Sequence, residues 1–206
     1  MASAPTRPIA IDRPALSPRT LAWLALGVGL VVLGLRWCVL HRFGYEVPYW
    51  PEWRGAGILL FKPWVEDRLT WDHLFSLHNE HRHVLPRLWS LAFFAANGRW
   101  DPVLVQAANA LVSAVNAALL VWFAGRAMSM AHARWLLLAA GVALVVPFDY
   151  ADLLVSYPAE FFFYITLTVL AIACWTAEKI ITGRLLGGAA CAMLASLTVA
   201  AGPLVA

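Results

Sequence analysis

The feature that most constrains this chain is a series of long apolar runs that carry almost no charge. Residues 21–40 form the first run, which is interrupted only by Arg36, and its length matches the roughly 20 residues that cross about 30 Å of hydrocarbon. The whole chain is 62% hydrophobic and 13% charged, whereas a soluble domain is about half apolar and about a quarter charged. The sequence therefore predicts an all-α, polytopic transmembrane helical bundle. The further predicted spans are residues 102–124, 135–148, 159–176 and 185–206.

The distribution of basic residues predicts how these spans are oriented. The amino-terminal tail, residues 1–20, carries Arg7, Arg13 and Arg19 against Asp12, and cytoplasmic segments are those enriched in Lys and Arg. We expect a disordered cytoplasmic tail, five membrane spans, and an outer loop over residues 41–101. The predicted inner loops are marked by Arg126, Arg134, Lys179 and Arg184. The last residues are still apolar, which suggests a piece of a longer protein.

The predicted outer loop holds most of the polar and aromatic side chains with potential chemistry. Five of the six histidines fall within it, and so do Trp50, Trp53, Trp64, Trp71, Trp89 and Trp100. Residues 84–96 are apolar but too short to span, and they include Arg87. This pattern predicts an interfacial helix that lies against the membrane.

The most specific string is His78-Asn79-Glu80-His81-Arg82-His83. Imidazole and guanidinium groups together suit phosphate binding, and imidazole and carboxylate can exchange protons near neutral pH. A polar cap at the headgroup level would use the same residues. A divalent metal is a further alternative, with His78, Glu80 and His81 as weak candidate ligands, although the H-E-x-x-H protease motif is absent.

A second string, residues 45–53, places Glu52 between Trp50 and Trp53. Aromatic faces can stack on sugar rings while a carboxylate binds the hydroxyls. The alternative is an aromatic belt that only anchors the loop at the membrane surface.

Polar residues within the predicted spans are few. Asn109, Ser113 and Asn116 share one helical face, which predicts interhelical hydrogen bonds first and a substrate groove second. Glu160 lies at the outer end of a span and is expected to face a cavity, because a carboxylate facing lipid is costly.

Taken together, residues 47–53, 71–75 and 78–82 resemble a family of bacterial multi-spanning proteins that look like the GT-C class of membrane glycosyltransferases. The resemblance covers roughly residues 20–125. It implies an enzyme of the bacterial inner membrane with juxtamembrane helices in a large first outer loop. Such an enzyme transfers sugar from a polyprenyl-phosphate donor to a lipid, glycan or protein acceptor.

On that resemblance, the expected catalytic carboxylates are Glu52, with Asp72 and Glu80 as substitutes. The expected donor-phosphate ligands are His81, Arg82 and His83, and the sugar-stacking rings are Trp50 and Trp53. The sequence departs from the family pattern at Pro51, where a second acid is expected.

Two other functional classes remain open at this point. One is a non-enzymatic transporter or accessory subunit for lipid-linked glycans, and the other is a zinc-dependent membrane hydrolase. Membrane lipid is an expected partner under all three hypotheses, and nucleic acid is not.

Overall fold

A computed structural model of the chain describes residues 17–78, 81–127, 135, 154–155, 159–177 and 181–199. This part of the chain is all-helical and contains no β-strand. The helices are α1 (Pro18–Phe43), α2 (Trp50–Glu52), α3 (Lys62–Val65), α4 (Trp71–Phe75), α5 (Val84–Asn97), α6 (Pro102–Ala127), α7 (Ala159–Trp175) and α8 (Thr182–Ala195), with a π-helical stretch, Trp53–Phe61, between α2 and α3. Most of the predicted tail, the predicted span 135–148 apart from Trp135, Glu80 and residues 200–206 lie outside the described residues.

The first predicted span is one continuous helix, α1. Its start is capped by the Ser17 hydroxyl, which accepts a hydrogen bond from the Thr20 amide at 3.1 Å, and Pro18 occupies the first turn, where its missing N–H costs nothing. At the other end, the Gly44 amide donates to the Leu40 carbonyl at 2.7 Å. The 26 residues of α1 extend about 39 Å at 1.5 Å per residue, enough to cross a bilayer.

Helix α6 packs antiparallel against α1 through small residues. A Cβ atom at Gly29 would meet the Ala114 carbonyl oxygen at 3.1 Å. Nearer the carboxyl-terminal end of α1, the indole N–H of Trp37 donates to the Ala107 carbonyl at 3.2 Å. Such small-residue contacts let helix backbones approach closely, as in membrane helix pairs. Both helices are long and apolar enough to cross a membrane, and less than half of each apolar window is buried in the protein. This exposed apolar surface indicates membrane association.

The loop between α1 and α6 folds into a helical layer on α5. From Trp50 to Val65 the chain is continuously helical, and the Lys62 amide donates to the carbonyl of Gly57, five residues back, as a π-helix requires. The buried face of this segment carries Leu60 and Phe61, which pack against Leu74 and Leu91. The predicted helix at residues 84–96 therefore exists as α5, and the rest of the loop is built around it.

Helix α5 ends at Gly98, which takes a left-handed conformation with φ 69°. Its first turn is held by the other end of the chain, because the Leu197 carbonyl accepts from the Val84 amide at 3.0 Å. Leu197 lies in the turn that follows α8. The end of α8 and the start of α5 therefore meet at one end of the structure.

Helices α7 and α8 are shorter than α1 and α6. Helix α7 has 17 residues and agrees with the predicted run 159–176, and α8 has 14 residues and ends at Ala195, well before the predicted limit at residue 206. A turn over residues 196–198 follows α8. Within the described ranges, α1 and α6 alone meet the length criterion for a membrane span.

Candidate functional site

A buried ionisable pair joins the loop to α7. His83 occupies the N-cap position of α5 and is 1% exposed, and Glu160 in the first turn of α7 is 5% exposed. The Nδ1 atom of His83 is in direct contact with the Glu160 carboxylate oxygen Oε2. Burying such groups is costly unless they face a partner, and this contact places the imidazole of His83 against the first turn of α7.

Two more histidines gather around this pair. His78 and His81 exchange backbone hydrogen bonds, each amide donating to the other's carbonyl at 3.0 Å. This tight turn brings both rings to His83, with ring centroids 5.4 Å away for His81 and 5.9 Å for His78. Three imidazoles and one carboxylate therefore share one end of the structure.

The surroundings of His78 are electropositive. Its pKa is lowered from the ordinary value of 6.5, first by burial and then by the charges of His83, Arg87 and Arg54, while Glu160 opposes the shift. Burial and neighbouring positive charge both disfavour the imidazolium form. An excess of positive potential at this place favours an anionic ligand.

Arg87 fixes the turn that carries these histidines. It is 4% exposed, and its Nη1 atom donates to the carbonyls of Leu74 at 2.8 Å and Ser76 at 2.7 Å. These carbonyls belong to the end of α4 and the residue after it, where a helix leaves acceptors without intrahelical donors. Arg87 thus links α4 to α5, and it positions the chain that leads into His78.

Glu52, the first predicted catalytic carboxylate, is buried at the end of α2, in the first turn of the continuous helical segment 50–65. It is 1% exposed, and its Oε2 atom accepts a hydrogen bond from the Tyr49 amide at 2.5 Å. This contact gives Glu52 a structural use as a helix cap. Its role as a base stays a prediction.

The predicted stacking rings lie beside this cap. Trp50 is 84% exposed, whereas Trp53 donates its indole N–H to the Pro48 carbonyl at 3.0 Å and sets its ring edge-on to Trp100. Trp50 can therefore meet a ligand or lipid, and Trp53 is held in place by the loop.

The remaining predicted residues are less enclosed. Asp72 lies exposed in the first turn of α4, and Arg82 is exposed between His81 and His83. Glu80 lies outside the described residues. Among the residues that are described, no three histidine, cysteine or acidic side chains are arranged to hold a metal ion; the predicted ligand set with Glu80 falls partly outside that part of the chain.

The polar face of α6 makes hydrogen bonds between helices, as predicted. Asn109 and Asn116 are buried. Asn109 accepts from the indole N–H of Trp89 at 3.0 Å, and Asn116 donates to the Phe162 carbonyl at 2.9 Å. These contacts confirm the interhelical role and tie α6 to both α5 and α7.

Sequence reasoning missed the pairing of Glu160 with His83, although it expected Glu160 to face a cavity. The available signal was an acid in the first turn of an otherwise apolar helix, which needs a partner. Its partner could not be identified, because the two residues are distant in the sequence. Comparison of this chain with family models, with curated proteins and with solved structures gives no match.

Proposed function

We propose that this chain is a membrane glycosyltransferase of GT-C-like, polytopic architecture that moves a sugar from a polyprenyl-phosphate donor to an acceptor on the outer face of the membrane. The observation that carries the proposal is the buried contact between His83 and Glu160, with His78 and His81 around it. This cluster lies where the loop meets the start of α7 and the turn after α8. A donor headgroup at the membrane surface would meet an acceptor there.

The proposed reaction needs a base and a site for the departing phosphate. The acceptor hydroxyl oxygen forms a bond to the anomeric carbon, the bond from that carbon to the phosphate oxygen breaks, and polyprenyl phosphate leaves with the electron pair. The hydroxyl proton passes to the histidine cluster, in which the Glu160 carboxylate orients the buried imidazole of His83. Glu52, Asp72 and Glu80 stay as alternative carboxylates from the family resemblance.

The phosphate side of the site would use the remaining cationic groups. Arg82 is exposed and His81 is half-buried beside His83, and such groups stabilise a phosphate as its charge grows during departure. Burial, and after it the charges of His83, Arg87 and Arg54, lower the pKa of His78. Trp50, which is largely exposed, would contact the sugar or the lipid surface.

The transporter hypothesis receives less support from the geometry. Transport needs polar residues that line a path through the spans, but Asn109 and Asn116 are buried and bonded to neighbouring helices. The larger polar cluster lies at one end of the helices, as surface chemistry requires.

The test is a transfer assay with the full chain in proteoliposomes. Polyprenyl phosphates carrying radiolabelled glucose or mannose serve as donor probes, and release of polyprenyl phosphate is followed with and without membrane glycolipid acceptors. We expect turnover with a donor of this class. Glu160→Gln should lower the rate by about a hundredfold or more, in the range that positioned acid–base groups contribute.

Glu46→Gln is the matched control, because Glu46 is an exposed carboxylate in the loop that carries His83. It should leave the rate unchanged. Absence of turnover with every polyprenyl-phosphate sugar would contradict the proposed function. Full activity of Glu160→Gln, with unchanged folding, would remove the His83–Glu160 pair from the mechanism.

A further inference from the structure

A second cavity lies at the opposite end of the helices from His83. It has a volume of about 700 Å³ and is bounded by the last turns of α6 and α7 and the first turn of α8. Its apolar wall includes Phe123, Leu170 and Cys174. The volume is within the range of about 300–1,000 Å³ that holds small ligands.

Two arginines stand at this cavity. Arg126 comes from the last turn of α6, and its guanidinium lies over the Trp122 ring at 5.9 Å from the ring centre. Arg184 comes from the first turn of α8. Both side chains are exposed at this end of the structure, so a ligand can reach them from the cavity mouth.

The charged side chains among the described lining residues, Arg126 and Arg184, are both basic. No acidic side chain is found among the described residues that line the cavity, and the first turn of α8 carries none. The amino terminus of α8 adds its partial positive charge on the side of Arg184. Arginine binds phosphate oxygens through paired, charge-assisted hydrogen bonds.

We propose that this cavity is a phosphate-binding site that takes the anionic headgroup of a membrane phospholipid or free phosphate. The apolar wall below the arginines suits the glycerol and upper acyl part of a lipid. The charge bias also predicts that this end faces the cytoplasm, where basic cavities between helices bind anionic headgroups. The proposal is independent of glycosyl transfer, because Glu160 and His83 lie at the other end.

The test measures lipid binding to the purified, delipidated full chain by native mass spectrometry. Phosphatidylglycerol and phosphatidylcholine are the lipid probes, and inorganic phosphate is added as a competitor. We expect phosphatidylglycerol to bind more tightly than phosphatidylcholine. The double variant Arg126→Gln with Arg184→Gln should weaken phosphatidylglycerol binding about tenfold or more, since hydrogen bonds to charged groups are strong.

Arg19→Gln is the matched control. Arg19 is an exposed arginine in the first turn of α1, at the end that the charge bias also places in the cytoplasm. Its loss removes the same charge without touching the cavity, so binding should stay within about twofold.

The competitor distinguishes the two sources of phosphate. Binding of phosphatidylglycerol that inorganic phosphate does not displace assigns the site to a membrane lipid, whereas displacement at low millimolar phosphate assigns it to a soluble phosphate. Equal binding of both lipids to the unaltered chain would overturn the proposal without recourse to a variant. An equal loss in Arg19→Gln and in the double variant would also overturn it, because it would reveal general surface charge.

Discussion

Replacing Arg87 by methionine should destabilise the loop that carries the histidine cluster. Methionine keeps a flexible apolar stem of similar reach, but it cannot donate to the carbonyls of Leu74 and Ser76. Those acceptors now receive hydrogen bonds at 2.8 and 2.7 Å from a guanidinium that is 4% exposed. Without the guanidinium, the buried bond to the Leu74 carbonyl and the part-buried bond to the Ser76 carbonyl are both lost.

The expected magnitude follows from these two bonds. A hydrogen bond to a charged donor contributes about 1.5–3 kcal/mol, so two of them give a loss of about 3 kcal/mol in the free energy of unfolding at the lower limit. The weaker contact to the Ser76 hydroxyl, at 3.3 Å, adds little. The damage should concentrate in residues 71–83, because Arg87 joins α4 to α5.

The assay combines denaturant unfolding of the full chain in detergent with hydrogen exchange. Arg99→Met is the matched control, since the Arg99 side chain is 69% exposed and lies 3.5 Å from Asp101. An exposed pair of this kind contributes about 0–1 kcal/mol. If Arg87→Met lowered stability no more than Arg99→Met, and left exchange in residues 71–83 unchanged, the anchoring role of Arg87 would be refuted.

Two further predictions concern the helix pair and pH. Gly29→Leu should destabilise the packing of α1 on α6 by about 1–3 kcal/mol in an unfolding titration, because its side chain would meet the Ala114 backbone, whereas Gly34→Leu should be nearly neutral, since Gly34 has nothing within 4 Å. The pKa of His78 in the folded chain is lower than the ordinary value of 6.5. As pH falls, the unfolded chain therefore takes up this proton first, so the free energy of unfolding should be highest above pH 6.5 and decrease as pH drops through the folded pKa. In thermal unfolding measured between pH 7.5 and about pH 5, His78→Gln should reduce the dependence of stability on pH. If the pH dependence of His78→Gln equalled that of the control His41→Gln, the role of His78 would be contradicted.

Much of the helical framework could be predicted from the sequence. The apolar runs at 21–40 and 102–124 correspond to α1 and α6, because the length and apolar content of a span follow from bilayer thickness. The helix predicted over residues 84–96 matches the bounds of α5 to within one residue at each end. The polar face of α6 was also predictable, since its period is that of one helical face.

The site was less predictable, because it depends on contacts between distant segments. Local sequence does not show that His83 meets Glu160, nor that Leu197 caps the first turn of α5. The π-helical geometry of residues 53–61 was likewise hidden, since the pattern of apolar residues there fits an ordinary helix as well. The sequence suggests Glu52 as a base between two tryptophans, whereas in the structure its carboxylate accepts a hydrogen bond from the Tyr49 amide and caps a helix.

The proposed function requires that the loop with His78, His81 and His83 and the start of α7 face away from the cytoplasm. Cysteine labelling in intact bacterial cells tests this orientation directly. In a chain whose Cys38, Cys174 and Cys191 are replaced by serine, single cysteines are placed at the exposed positions of Asp72 and Arg126. A membrane-impermeant maleimide added outside should label Asp72→Cys at once, and Arg126→Cys only after the inner membrane is opened. Labelling of Arg126→Cys from outside, with Asp72→Cys protected until permeabilisation, would contradict the account.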